Sequence, residues 1–338
     1  MTTAKDQNIE IIAEIGSVHD GSFGNALKLV ECAAESGATV AKFQLHISSA
    51  ETSENAPNPS YFNSESRFDY FNRIAFSKSQ WLEIKERCHS LNIKFGCSPF
   101  SIEAVDFLLE VGVDILKIPS GEITNHPLIE YISETGLPIH ISSGMSTWAE
   151  LDEAIAILNP VQNLCLMQCA SLYPAPPLKI GLNNILEMKN RYENKRVSIG
   201  FSDHSTGIVM PIAAVALGAR AVEKHLTFSR RMYGSDAFNA LEPMEFKEMS
   251  LGIRAVEIAL KNPVDKNDIE DFVENRLIFQ KSIITGRNIA KGEIISLECV
   301  KFLKPANGLL PSEWKKIMGR RVNRNLPAGH LVSFEDFE

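Results

Sequence analysis

Eight apolar, β-prone runs, each followed by a helical pattern, recur between residues 9 and 260, and this alternation constrains the fold more than any other feature. The strand runs are Ile9–Gly16, Thr39–His46, Ile93–Ser98, Val113–Ile118, Pro138–Ser142, Leu164–Ala170, Val197–Phe201 and Ala221–His225. The helical patterns cover Phe23–Ser36, Ser79–Leu91, Ile102–Val111, Pro127–Thr135, Trp148–Leu158, Ile185–Tyr192, Ile208–Leu217 and Pro243–Leu260. A long polar loop, from about Ile47 to Ser77, delays the second helix. Gly37, Asn92, Gly112, Gly136, Asn159 and Gly218 stand where helices should stop. Alternating strands and helices build a parallel sheet, and eight units over roughly 250 residues match a (β/α)8 barrel. A doubly wound open sheet is the alternative, but it usually has fewer units and a Gly-rich nucleotide turn, which this chain lacks.

A barrel carries its chemistry at the C-terminal ends of the strands. Those ends offer Glu14, Lys42, Gln44, Ser98, Lys117, Ser120, Glu122, Ser142, Ser143, Ser171, Tyr173, Ser202, Asp203, His204 and His225. Loops are polar anyway, so the two lysines weigh most. Each interrupts an apolar run, Val40-Ala41-Lys42-Phe43 and Ile115-Leu116-Lys117-Ile118, where a charge is costly unless paired. Two lysines aimed into one barrel mouth point to an anion, with a structural salt-bridge cluster as the plainer reading. Serines beside glycine, in Ser120-Gly121 and Ser142-Ser143-Gly144, offer hydroxyls and backbone N–H groups to phosphate oxygens. His204 and His225 end neighbouring strands, and paired imidazoles suit a divalent transition metal. Their plainer reading is two satisfied loop or core histidines.

The formal net charge of −8 argues against a nucleic-acid surface and leaves any anionic ligand dependent on local cations. The polar start, Met1 to Asn8, has no signal-peptide core, and no apolar run is long enough for a bilayer. The six cysteines are scattered, and Cys165 and Cys169 read as reduced core thiols on one face of a strand. These features predict a cytoplasmic protein with neither membrane nor nucleic-acid partners. The pattern changes after Leu260, which predicts a catalytic barrel over 1–261, a linker over 262–281 and a small second domain over 282–338. That domain holds a repeat: Arg287 to Glu298 recurs as Arg324 to Glu335. Each copy reads as strand, Gly turn, strand, and a short helix, Pro311–Ile317, lies between them. A module this small buries little surface alone, so it is expected to dock on a barrel, its own or a partner's.

The motifs together resemble one family. Ala13-Glu14-Ile15-Gly16, Lys42-Phe43-Gln44, Lys117-Ile118-Pro119-Ser120-Gly121-Glu122, Ser142-Ser143-Gly144-Met145, Tyr173-Pro174, Ser202-Asp203-His204 and Glu223-Lys224-His225 are similar to those of the sialic acid synthases and the wider nonulosonate synthases. The C-terminal module resembles their antifreeze-like SAF domain, a β-clip fold. The resemblance implies that phosphoenolpyruvate condenses with the open-chain aldehyde of an N-acylated hexosamine, giving a nine-carbon α-keto acid and phosphate. It implies Mn2+ or Mg2+ on His204 and His225, and a domain-swapped homodimer in which one chain's SAF domain caps the other's barrel. Lys42, Lys117, Ser120, Ser142 and Ser202 are then expected on phosphoenolpyruvate, with Ser171 and Gln44 beside them. Glu14 is expected to transfer a proton or to orient the aldehyde and water. Glu122, Tyr173 and Asp236 are expected on the sugar, and Asp203 behind His204. The family's Asn-His-Asn is Val18-His19-Asp20 here, and its Gly-Pro-Asp is Gly234-Ser235-Asp236. Its sugar-contacting arginine is matched by Lys304, which lacks a planar two-pronged donor. Two other readings stand beside this one: a Schiff-base aldolase with Lys117 as nucleophile, and a non-catalytic carbohydrate-binding protein.

Overall fold

A computed structural model describes residues 8–338 apart from 55, 59–64, 195 and 235. Eight parallel strands close into one barrel: β1 (Glu10–Gly16), β2 (Val40–Leu45), β3 (Lys94–Pro99), β4 (Ile115–Ile118), β5 (Ile139–Ser142), β6 (Leu164–Cys169), β7 (Val197–Asp203) and β8 (Ala221–His225). β1 pairs with both β2 and β8, which excludes the open sheet. The expected crossover helices form: α1 (Phe23–Glu35), then α4 (Lys78–Ser90), α5 (Ile102–Val111), α6 (His126–Ser133), α7 (Trp148–Ile157), α8 (Asn183–Tyr192), α9 (Val209–Ala216) and α10 (Pro243–Lys261). Side-chain caps start several of them; Ser22, Ser77, Ser101, Asn125 and Thr147 each accept from a backbone N–H in the first turn. Gly112 closes α5 in the left-handed region, at φ 80°.

The polar stretch between β2 and α4 is not all loop. It carries α2 (Ser48–Glu51) and α3 (Arg67–Ile74). Ser66 caps α3, and Tyr70, Phe71 and Ile74 bury one side of it, an i, i+1, i+4 pattern too short to stand out among polar neighbours. The strands alternate as a barrel requires. One set of side chains packs outward against the helices in a single large core, including Ile11, Ala13, Ala41, Phe43, Leu116, Leu166 and Val222. The other set points inward. Gly96 belongs to it: a Cβ there would lie 3.1 Å from Val40 Cγ1 and 3.4 Å from Lys42 Cγ, so the missing side chain makes room for the Lys42 stem.

A second compact unit spans Pro263–Glu338. The stretch read as linker contains a 3-10 turn, Glu270–Phe272, and α11 (Val273–Phe279). β9 (Ser282–Thr285) and β10 (Val300–Leu303) pair antiparallel. The two repeat copies do not form the regular strands expected of them. They meet instead through reciprocal contacts: Ile289 and Leu326 exchange both backbone hydrogen bonds at 2.9 Å. Asn288 Oδ1 accepts from Ala328 N, and Asn325 Oδ1 accepts from Lys291 N, both at 2.8 Å. The repeat is thus a pseudo-twofold pair around a small core of Ile283, Ile289, Ile295, Ile317, Val322, Leu326 and Val332. Among the described residues, no helix is long and apolar enough to cross a membrane.

Candidate active site

The inward-facing side chains form tiers. The lower tier is an apolar plug of Ile12, Val40, Ile115, Cys165, Met167 and Ala221. Strand periodicity puts the next inward residue two positions on, so Glu14, Lys42, Lys117 and Glu223 stand directly above Ile12, Val40, Ile115 and Ala221. Lys42 Nζ lies 2.6 Å from Glu14 Oε2 and 3.8 Å from Glu223 Oε2, and Lys117 Nζ lies 2.8 Å from Glu223 Oε2. Two ammoniums and two carboxylates form a buried, charge-balanced box. Lys42 also donates to Ser98 Oγ at 3.1 Å, Ser202 Oγ donates to Glu223 Oε1 at 2.9 Å, and Gln44 Nε2 donates to Glu14 Oε1 at 2.7 Å. Each lysine therefore already has a carboxylate, and lysine charge alone does not call for an anion.

Burial sets how this box titrates. It pushes the Glu14 carboxyl up to about 7, with the attraction of Lys42 working against it and Glu223 adding to it. Burial would raise Glu223 as well, but Lys117 and Lys42 outweigh it and hold that carboxyl well below the usual range. Burial would lower Lys42, yet Glu14 and Glu223 keep its ammonium above its ordinary value. One carboxylate is thus firmly ionised and the other is poised to exchange a proton near neutrality.

Hydroxyls and backbone donors gather beside the box. Gly144 N donates to Ser120 Oγ at 3.0 Å. A Cβ at Gly144 would collide with the Ser171 and Ser120 hydroxyls, so both converge on bare backbone. Ser142 Oγ is buried without a partner. This donor set matches an oxyanion cradle. His204 and His225 stand next to it, ring centroids 5.5 Å apart. His204 Nδ1 donates to Ala170 O at 3.0 Å, so in the neutral ring the lone pair lies on Nε2; burial favours that neutral form, while Cys169 and Ala170 outweigh it and raise the imidazole above its ordinary value. Burial pushes His225 down to about 4, against the pull of Asp236, so its imidazole is neutral, and its Nδ1 is buried without a hydrogen-bond partner. Among the described residues no group of three or more His, Cys, Asp and Glu forms a metal cage. Two imidazoles fit a divalent ion whose other positions go to substrate and water oxygens. The Tyr173 ring lies 4.1 Å from the His204 ring, and Asp236 Oδ2 accepts from Ser17 N at 3.2 Å and Ser17 Oγ at 3.0 Å. Apart from Gly144 and Ala170, these groups line one cavity of about 370 Å³.

Thus Glu14, Lys42, Gln44, Lys117, Ser120, Ser142, Ser171, Tyr173, Ser202, His204, His225 and Asp236 share this cavity. Within the barrel, Asp203, Glu122 and Ser143 do not; Ser143 Oγ donates instead to Gln168 Oε1 at 3.4 Å. Asp203 follows inward-facing Ser202, so it points outward, where its Oδ2 lies 2.6 Å from Lys224 Nζ in a fully buried pair. Glu122 sits in a 3-10 turn and accepts from Asn125 Nδ2 at 2.7 Å. Lys304 belongs to the second unit, with its ammonium 5.2 Å from the centre of the Phe279 ring. Ser235 lies outside the described residues, as do Met1–Gln7 of the polar start. Cys169 corrects another expectation. It is free, as Cys165 is, but it lines the cavity with Sγ 3.8 Å from His204 Nδ1 rather than filling the core. Glu223, Ser17, His46, Arg67, Phe71 and Phe100 line the cavity without having been assigned to it from sequence. Period two carried the signal for Glu223, which lies two residues before His225.

The NeuB family model matches residues 29–265, and the SAF domain model matches residues 280–338. The chain is 34% identical to the N,N'-diacetyllegionaminic acid synthase of Campylobacter jejuni over 95% of this chain and 98% of that one. It is 32% identical to the human N-acetylneuraminate-9-phosphate synthase over 92% of this chain and 88% of that one. Among solved structures, the N-acetylneuraminic acid synthetase of Leptospira borgpetersenii, crystallised with citrate, superimposes with a TM-score of 0.70 at 31% identity. That match covers 80% of this chain and 92% of that one.

Proposed function

We propose, from the premise that this chain belongs to the NeuB family and ends in a SAF domain, that it is a nonulosonate synthase acting through the cavity described above. The reaction joins C3 of phosphoenolpyruvate to the aldehyde carbon of an open-chain N-acylated hexosamine. The aldehyde oxygen takes a proton and becomes a hydroxyl. Water adds to C2, and loss of inorganic phosphate leaves the α-keto acid. The observation that carries this reading is the convergence of a charge-balanced Lys/Glu box, a hydroxyl cradle and two neighbouring imidazoles in one cavity.

Lys42, Lys117, Ser120, Ser142, Ser171 and Ser202 hold the phosphate and carboxylate of phosphoenolpyruvate. Glu14 moves the proton, a role suited to a carboxyl that titrates at about 7. Tyr173 and Asp236 meet the sugar. His204 and His225 hold Mn2+ or Mg2+, and the chemistry such an ion supplies when bound is Lewis-acid polarisation of the aldehyde. The Schiff-base alternative is disfavoured, because Lys117 is ion-paired to Glu223 at 2.8 Å while such a nucleophile needs a free amine. The homodimer, with each SAF unit capping its partner's barrel, belongs to the same reading. Phe272, Val273, Leu277, Ile278 and Phe279 are exposed in the single chain and suit burial on assembly.

Purified protein with Mn2+, phosphoenolpyruvate and a panel of N-acyl hexosamines, neutral and 6-phosphorylated, should release phosphate with at least one sugar. EDTA should stop the release and Mn2+ restore it. Silence across the whole panel, or full turnover in EDTA, would sink the reading.

A further inference from the structure

His46 follows β2 and has no place in the reaction as described, yet it is nearly fully enclosed. Its ring is stacked between Phe71 and Phe100, with centroids 3.5 Å and 4.2 Å away and interplanar angles of 13° and 17°. Both ring nitrogens have acceptors. Nδ1 lies 2.7 Å from Glu51 Oε1, in a pair whose side chains are each 6% exposed. Nε2 lies 3.2 Å from Gln44 Oε1. The far end of that amide donates to Glu14 Oε1 at 2.7 Å. With the Glu51 carboxylate ionised and the Gln44 oxygen toward the ring, both partners accept, and this arrangement calls for a proton on each imidazole nitrogen. The aromatic faces on either side suit a cation. Asp236 and His19 also feel it electrostatically, and the Arg67 guanidinium lies 5.9 Å from the centre of the Phe71 ring.

The amide between His46 and Glu14 makes the two ends interdependent. With the amide oxygen on an imidazolium, its N–H faces Glu14 and favours the ionised carboxylate. Turned over, its N–H would meet a neutral imidazole, and its oxygen would require a protonated Glu14. Each orientation is self-consistent with only one pair of proton states.

We infer that His46 is a positioning residue for Glu14: held as an imidazolium by Glu51 and the two phenyl rings, it fixes the Gln44 amide so that its N–H faces the Glu14 carboxylate. This rests on the synthase reading for its kinetic consequences, but its core claim is structural. Full-length protein labelled with 15N-histidine tests it directly. The His46 signals are assigned by their loss in His46→Phe, which keeps an aromatic ring in the stack. At pH 7 both nitrogens should show protonated-type shifts; one protonated and one lone-pair nitrogen would overturn the inference. In turnover, His46→Phe and Glu51→Gln should each lower kcat about tenfold, with the KM for phosphoenolpyruvate within about twofold of the parent. The double variant should be no worse than His46→Phe alone, because both act through one chain of contacts. Additive losses, or losses confined to KM, would overturn it. An inactive parent enzyme would refute the synthase reading and leave the NMR result standing. An active parent with unaffected variants would refute only this inference.

Discussion

Glu223 is the group on which the buried box depends, so Glu223→Gln is the most informative change. The substitution keeps the shape and an oxygen for Ser202, and removes one charge. Lys117 then keeps Met167 Sδ at 3.4 Å as its remaining close polar contact among the described residues, while Lys42 keeps Glu14. At an effective dielectric of about 20, the two lost attractions at 2.8 and 3.8 Å are worth about 6 and 4 kcal/mol before desolvation is counted. Charges of this kind also cost solvation to bury, so the expected loss of stability is about 3–5 kcal/mol. In a domain of this size that lowers Tm by on the order of 10 °C. The same imbalance should make the cavity a better anion site. Inorganic phosphate should raise the Tm of the variant more than that of the parent, and a tenfold tighter Kd corresponds to about 1.4 kcal/mol. Scanning calorimetry over a series of phosphate concentrations measures both effects. A variant as stable as the parent, or one that phosphate stabilises less, would refute the argument from charge balance.

Three further outcomes follow from other parts of the barrel. At the closed end, His140 and Lys94 hold the Glu10 carboxyl, which would otherwise rise on burial, at about 2. Its stabilisation, roughly 3 kcal/mol, is full above the unfolded value of about 4.5 and is lost as pH falls from there toward 2. Urea unfolding should therefore show Glu10→Gln less stable than the parent at pH 7, with the gap closing below pH 4.5; a constant gap would count against it. Gly144→Ala should raise the KM for phosphoenolpyruvate at least tenfold while Tm stays within a few degrees, since the new methyl enters the hydroxyl cradle; unchanged KM would empty the cradle of its role. Asp203→Asn should cost stability, by about 3 kcal/mol in urea melts, and lower kcat through the loosened histidine pair while the sugar KM stays within twofold, because the carboxylate points away from the cavity to Lys224; a large KM effect would return it to the cavity.

The barrel was legible because its signal is repetitive. The strand runs lead into polar residues at regular intervals, and several of the helices carry a side-chain cap, so each boundary has its own local signal. Glu14, Lys42, Lys117 and the histidines were legible because a charge inside an apolar run has few explanations. Two kinds of feature were harder. Asp203 sits beside Ser202 and His204 in one motif, and adjacency in sequence concealed that neighbours on a strand face opposite ways. Glu223 was hidden for the same reason, inside a motif read as a unit. His46, Phe71, Arg67 and Phe100 come together only through the packing of α3 onto the cavity, and α3 lay in a stretch whose composition reads as loop. Nothing in the spacing of residues 46, 51 and 71 predicts a sandwich.

The outward pair of Asp203 and Lys224 has a consequence for the histidines. Lys224 also donates to Ser205 O, and Asp203 accepts from Ser205 N and Ser205 Oγ, both at 2.9 Å. One ammonium beside His225 thus grips the residues on either side of His204. The gap between the two imidazoles is set from the back of the sheet, like the jaw of a clamp whose screw is out of sight. A substitution that loosens this grip would disable the jaw while every residue lining the cavity kept its identity. Inherited loss of function in such a protein need not touch its active site.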